Sequence, residues 1–168
     1  MLCAPVSEEI AGRLKLGPMV AQNRDTFRTN YTVTVDAASG VTTGVSAQDR
    51  SATIRILADP SSSAGDLVQP GHVNPLVARA GGVLRRAGHT EAAVDLARLA
   101  GLREAGALIE ILSADGSPMR LPELRPFAKK HGLKLTSIAA LIEYRRRSER
   151  LVRREQVIQL PTDWGDFQ

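Results

Sequence analysis

The chain has 168 residues, 43% hydrophobic and 24% charged, with a formal net charge of +4. Such a length suits one domain with room for an appendage and buries roughly two-thirds of the unfolded surface. The composition excludes a disordered or disulfide-built chain, no run reaches the ~18 apolar residues of a membrane span, and the single cysteine points to a reducing cytoplasm.

Aromatic residues are scarce at 4%, so the core must rest on Val, Leu, Ile and Ala. Met1 to Val6 lacks the basic region and long apolar stretch of a signal peptide. Ser7 to Leu14 reads as a short helix with Glu8 and Glu9 in its first turn. Tyr31 to Asp36 is the clearest strand, with β-branched residues alternating at period two. Ala37 to Gly40 is turn-like. Ser46, with Asp49 three residues on, caps a helix through about Leu57. Asp59 to Asp66 is a loop by composition.

A third helix is predicted from His89 or Thr90 to Gly101, with Ala93, Leu96, Ala97 and Ala100 on its apolar face. Gly106 to Leu112 reads as a buried strand interrupted by Glu110. Asp115-Gly116 is a turn. Pro122 to His131 is a helix stopped by Gly132, Leu133 to Thr136 a short strand, and Ser137 to Arg150 a helix capped by Ser137. Val157 to Thr162 reads as a strand entering a turn. Alternating strands and helices point to an α/β or α+β layered fold. Arg145, Arg146, Arg147, Arg150, Arg153 and Arg154 hold much of the positive charge. Their plain reading is a solvated helix face; the sharper one is nucleic-acid binding, although no aromatic residues interleave with them.

Two histidines that follow glycines carry the chemistry. His72 lies in Gln69-Pro70-Gly71-His72-Val73, and His89 in Arg86-Ala87-Gly88-His89-Thr90. Glycine removes the Cβ that would block a ligand's approach to the backbone. His89 opens a helix, where unsatisfied N–H groups and the dipole favour an anion. Arg86 adds a guanidinium, so the junction suits a phosphorylated or enolate-like ligand. The plain alternative is a loop with two surface histidines. Glu110, in an apolar run, is expected to be buried with a raised pKa and to serve as a general acid or base, unless one strand face is wet. His72, His89 and Glu110 are together expected to face one cavity. They are residue types for metal-assisted proton transfer with Mg²⁺ or Mn²⁺. Zinc is disfavoured because Cys3 stands alone. Gly81-Gly82 is no phosphate loop, since no Gly-Lys-Ser/Thr follows.

Gly40-Val41-Thr42-Thr43-Gly44-Val45-Ser46, Pro70-Gly71-His72-Val73, Ala80-Gly81-Gly82-Val83-Leu84 and Gly88-His89-Thr90-Glu91-Ala92 closely resemble 3,4-dihydroxy-2-butanone 4-phosphate synthase. The resemblance covers nearly all of residues 1–150. It implies an α+β layered sandwich with a mixed sheet. It also implies conversion of D-ribulose 5-phosphate to 3,4-dihydroxy-2-butanone 4-phosphate and formate, a step of riboflavin biosynthesis. That reaction uses Mg²⁺ or Mn²⁺ and passes through an enediolate, a dehydration and a skeletal rearrangement. By resemblance His89 is the metal ligand, and His72 and Glu110 are the residues essential for acid-base steps. Arg86, Ala87, Gly88, His89, Thr90 and Glu110 bind substrate, and Cys3 lies near the site. The family is homodimeric, with active sites at the subunit interface.

The family also has an N-terminal acidic loop that supplies a further metal ligand, and Met1 falls after it. Gln159-Leu160-Pro161-Thr162-Asp163-Trp164 resembles the opening of GTP cyclohydrolase II. Residues 1–150 are therefore expected to be a partial synthase domain, inactive or nearly so alone. Residues 151–168 would be a linker and first strand of a second domain. The competing readings are a non-catalytic module that binds sugar phosphate or pairs with a full-length subunit, and a nucleic-acid binder.

Overall fold

The computed structural model describes residues 1–152, 155–156 and 159–167. Arg153 and Arg154 of the basic run, and Val157 and Ile158 of the last predicted strand, lie outside the described residues.

The chain opens with strand β1 (Cys3–Val6) and helix α1 (Glu8–Arg13). The Ser7 hydroxyl accepts the Ile10 N–H at 3.3 Å, which caps α1. Strand β2 (Val35–Ala37) leads to helix α2 (Ala47–Ala58), where Ser46 accepts the Asp49 N–H at 3.0 Å. Strand β3 (Leu67–Val77) is the centre of a three-stranded sheet in the order β1-β3-β2. It runs parallel to β1 and antiparallel to β2. Helices α3 (His89–Leu99), α4 (Leu121–Lys130) and α5 (Ile138–Ser148) follow, then a hairpin of β4 (Leu160–Thr162) and β5 (Gly165–Phe167). All four residues of β1 are buried, and both α2 and α3 pack against it. The core joins Ala4, Val6, Ile10, Leu14, Leu16, Val35, Leu57, Leu67 and Val73. This is the predicted mixed α+β class with a small mixed sheet.

Four local expectations change. Of Tyr31 to Asp36, only Val35 and Asp36 enter β2; Tyr31 makes an isolated bridge to Leu76, and the Val33 N–H turns to Gly17 O. Residues 106–112 do not form a buried strand. They touch β1 by a single bridge at Cys3/Leu108, just after another at Val6/Ala105, and leave Ile109 58% and Leu112 56% exposed. Residues 133–136 form no strand, and Leu133 and Leu135 face solvent. The buried stripe of α3 is Thr90, Glu91, Val94 and Asp95, while Leu96 and Leu99 are exposed. Buried carboxylates are tolerated there because each has partners, as described below.

β3 itself was hidden from pattern reading by Pro70 and Gly71. The register jumps from Val35/Val73 to Asp36/Val68, so residues 69–72 arch out of the ladder where proline and glycine cost little. The arch lies close to β2: a Cβ on Gly71 would fall on the backbone of Val35 and Asp36.

Candidate active site

The arch in β3 presents His72. Its backbone N–H donates to Asp36 Oδ1 at 2.9 Å, and its ring Nδ1 lies 2.6 Å from Asp36 Oδ2. The Gly71 N–H donates to Thr34 Oγ1 at 3.0 Å. Asp36 is buried, whereas the His72 side chain is 48% exposed. With Nδ1 bound to a carboxylate, the tautomer and ring orientation are set, and Nε2 is the nitrogen left to exchange a proton. The loop at residues 42–44 completes these surroundings. Asp49 on α2 accepts from Thr42 Oγ1 at 2.7 Å and from the Gly44 N–H at 3.1 Å. The Thr42 hydroxyl bond, with the backbone donors, holds the Asp49 carboxyl below the usual carboxylate range.

A separate cleft of about 900 Å³ is lined by Arg86, Ala87, Gly88, His89 and Thr90 on one side and by Leu108 to Ile111 on another. Cys3, Tyr31, Phe27 and Thr29 complete the wall. The sequence-predicted substrate residues thus share one cleft. Gly88 precedes α3 with extended backbone and makes no side-chain cap bond, which leaves the helix start facing the cavity. Burial, and then the charge of Glu110, push the Cys3 thiol up, so it remains protonated at neutral pH.

Glu110 departs from expectation. Its side chain is 63% exposed. Its own backbone N–H, and then the N-terminal ammonium at 3.4 Å, hold its carboxyl below the ordinary value; the nearby His89 acts in the same direction. The raised pKa expected from burial is absent because the 106–112 segment borders the cleft instead of entering a sheet. Glu110 is therefore an anion at neutral pH.

His72 does not line this cleft within one chain. Leu76, four residues further along β3, does. Two carboxylates escaped the sequence reading. Asp36 carries no local signal of its pairing, since His72 is distant in sequence. Glu91 sits inside the Gly88 to Ala92 motif, and its position in the first turn of α3 was the available clue.

Among the described residues no group of three His, Cys, Asp or Glu could hold a metal. His89 and Glu110 offer one imidazole and one carboxylate, whereas Mg²⁺ demands octahedral oxygen coordination. The described residues alone therefore do not fit a complete metal site.

Residues 1–144 match the 3,4-dihydroxy-2-butanone 4-phosphate synthase family. The riboflavin biosynthesis protein RibBA of Cytophaga hutchinsonii is 57% identical over 168 residues, covering 99% of this chain and 42% of that protein. RibBA of Salinispora arenicola is 55% identical over 166 residues, covering 99% and 40%. The chain thus spans about two-fifths of the length of these curated relatives. Among solved structures, the two-domain synthase RibBX of A. baumannii superposes with a TM-score of 0.89 at 44% identity, covering 99% of this chain and 49% of that one. A synthase in complex with two magnesium ions gives a TM-score of 0.83 at 39% identity, covering 88% and 74%. The motifs read from the sequence, the mixed sheet that carries His72 and these matches agree: the chain belongs to the 3,4-dihydroxy-2-butanone 4-phosphate synthase family.

Proposed function

We propose that the chain carries the family's lyase chemistry, converting D-ribulose 5-phosphate to 3,4-dihydroxy-2-butanone 4-phosphate and formate for riboflavin biosynthesis. The observation that carries this reading is the cleft shared by Arg86 to Thr90 and Glu110. The N–H groups that begin α3 suit the phosphate or the enediolate oxygens. Glu110, anionic at neutral pH, takes the proton whose loss gives the enediolate. His72, fixed through Nδ1 by Asp36, exchanges protons at Nε2 in the dehydration and rearrangement. Mg²⁺ or Mn²⁺ would polarise the substrate carbonyl, with His89 as a ligand and other donors completing the shell.

His72 and the cleft are apart in one chain, while Ile109, Ile111 and Leu112 leave apolar surface exposed beside Glu110. Both features favour a homodimer in which His72 of one copy meets the cleft of the other. We propose the same cytoplasmic setting as the sequence suggests, in line with the free, buried Cys3. Among the described residues no helix is long and apolar enough to cross a membrane. We also propose residues 1–150 as synthase domain and 151–168 as the linker and first strand of a GTP cyclohydrolase II-like domain. The β4–β5 hairpin supports a change of structure there.

The 168-residue chain alone is expected to release no detectable formate, because one histidine, His89, with water alone holds a cation weakly. The test uses a form spanning the relatives' full length, assayed for formate from ribulose 5-phosphate with Mg²⁺. His72→Ala and Glu110→Gln should each reduce turnover by at least ~100-fold. Mixing the two variants should restore about a quarter of the unaltered rate, since half of randomly formed dimers carry one intact site. No formate from the unaltered protein would refute the activity. No recovery on mixing would refute the shared site.

A further inference from the structure

Glu91 is 1% exposed, and a carboxylate buried so completely must be matched by donors. Its Oε1 accepts the Arg79 N–H at 3.0 Å, and its Oε2 accepts from Arg86 Nη1 at 2.6 Å. The remaining donors of Arg86 point elsewhere. Nε and Nη2 both donate to Phe27 O, at 3.3 and 3.2 Å, and Nη2 also donates to Thr29 Oγ1 at 3.3 Å. Of the five N–H donors of a guanidinium, these bonds engage all but one. Arg86 thus ties α3 to the segment at 23–29.

That segment is closed on itself. Asp25 Oδ2 accepts the Thr29 N–H at 2.9 Å, Asn23 Nδ2 donates to Thr29 O at 2.8 Å, and Asn23 Oδ1 accepts the Asp25 N–H at 2.8 Å. The Thr29 backbone bond holds the Asp25 carboxyl below its ordinary value, which keeps this acceptor charged. A loop wrapped in this way moves as a unit, so fixing Phe27 O and Thr29 Oγ1 places the whole of it. Phe27 and Thr29 are themselves part of the cleft wall, with the Phe27 residue 77% exposed. Gly88 fits the same assembly, because a Cβ there would collide with Arg86 Nη1 and Glu91 Oε2.

We infer that Glu91 is a positioning residue: it orients Arg86, and through Arg86 it holds the 23–29 segment as a wall of the cleft. The inference deepens the proposed function, resting on it only for what the cleft receives. A neutral amide at position 91 keeps the shape but loses the charge that orients the guanidinium fork.

The experiment uses ¹⁵N-labelled 168-residue chain. The Arg86 Nε–H cross-peak, identified by its loss in Arg86→Lys, should exchange slowly with water. Glu91→Gln should speed that exchange at least tenfold. The same variant should be cut by trypsin after Arg24 and Arg28 at least tenfold faster, with cleavage rates elsewhere unchanged. A protected cross-peak and cleavage within twofold of the unaltered chain would overturn the inference. Should Glu91→Gln fail to fold, Arg86→Lys decides: it keeps the charge beside Glu91 but not the fork, so unchanged cleavage after Arg28 overturns the tie. Binding of ribulose 5-phosphate by calorimetry is followed in the same samples, and Glu91→Gln should weaken it about tenfold. Should the unaltered chain bind none, the cross-peak and the cleavage rates still judge the tie, while the formate assay on the full-length form judges the proposed function.

Discussion

At the scale of single residues, Gly71 is the most constrained position near His72. Any side chain there would meet the backbone of Val35 and Asp36, which cannot rotate away. Gly71→Ala should therefore destabilise the fold by about 3 kcal/mol or more, the range of overpacking joined to a broken close approach. Urea unfolding measures this, and a loss below about 0.5 kcal/mol would show that the arch shifts freely. The sequence singled out His72, His89, Arg86 and Glu110 as candidates to carry chemistry. Their environments were not legible there. Glu110 looked buried because its neighbours are apolar, yet those neighbours are themselves exposed. Asp36 became visible only when the arch brought residue 72 beside residue 36.

Among the elements, α3 and α5 are joined by a buried ion pair. Arg145 Nη1 donates to Asp95 Oδ2 at 2.8 Å and to Gly81 O at 2.9 Å, and both partners' side chains are almost wholly buried. Asp95 also accepts the Val83 N–H at 2.8 Å, within the short 3-10 turn Gly82–Leu84 that leads toward Arg86. Asp95→Ala would leave Arg145 buried with less compensation and Val83 N–H without its acceptor. The expected cost is about 3–5 kcal/mol, with Arg145→Ala similar and the double variant well below their sum. Additive losses in thermal unfolding would show that the two side chains act independently. The helices were well marked in the sequence because Ser7, Ser46 and Ser137 cap them locally. The face that α3 buries was misjudged because Glu91 and Asp95 read as solvent-seeking unless their distant partners are known.

For the whole molecule, acid should be the destabilising direction. Arg145 holds the Glu149 carboxyl below its ordinary value, chiefly through the side-chain bonds at 2.7 Å, and raises its own pKa in return. Asp49 and Glu110 are also lowered, mainly by hydrogen bonds. A carboxyl lowered on folding contributes stability that is fully present above its unfolded pKa, about 4, and is lost as pH falls through the folded value. The melting temperature should thus stay nearly flat from pH 8 to about 5 and drop below about 4. Glu149→Gln should flatten part of that drop. A melting temperature that rose on acidification from pH 5 to 3 would contradict these assignments.

By itself the sequence determined the class of fold, the capped helices, the family resemblance and the residues able to carry chemistry. Those depend on local patterns: period, caps and short motifs. Only the tertiary structure decided which of these residues meet. It paired Asp36 with His72, Glu91 with Arg86 and Asp95 with Arg145, and it set His72 apart from the cleft that holds His89 and Glu110. Each of the three pairings depends on where the chain returns after a turn, an arch or a helix. Burial then makes the pairing obligatory, because a carboxylate removed from water needs its donors close at hand.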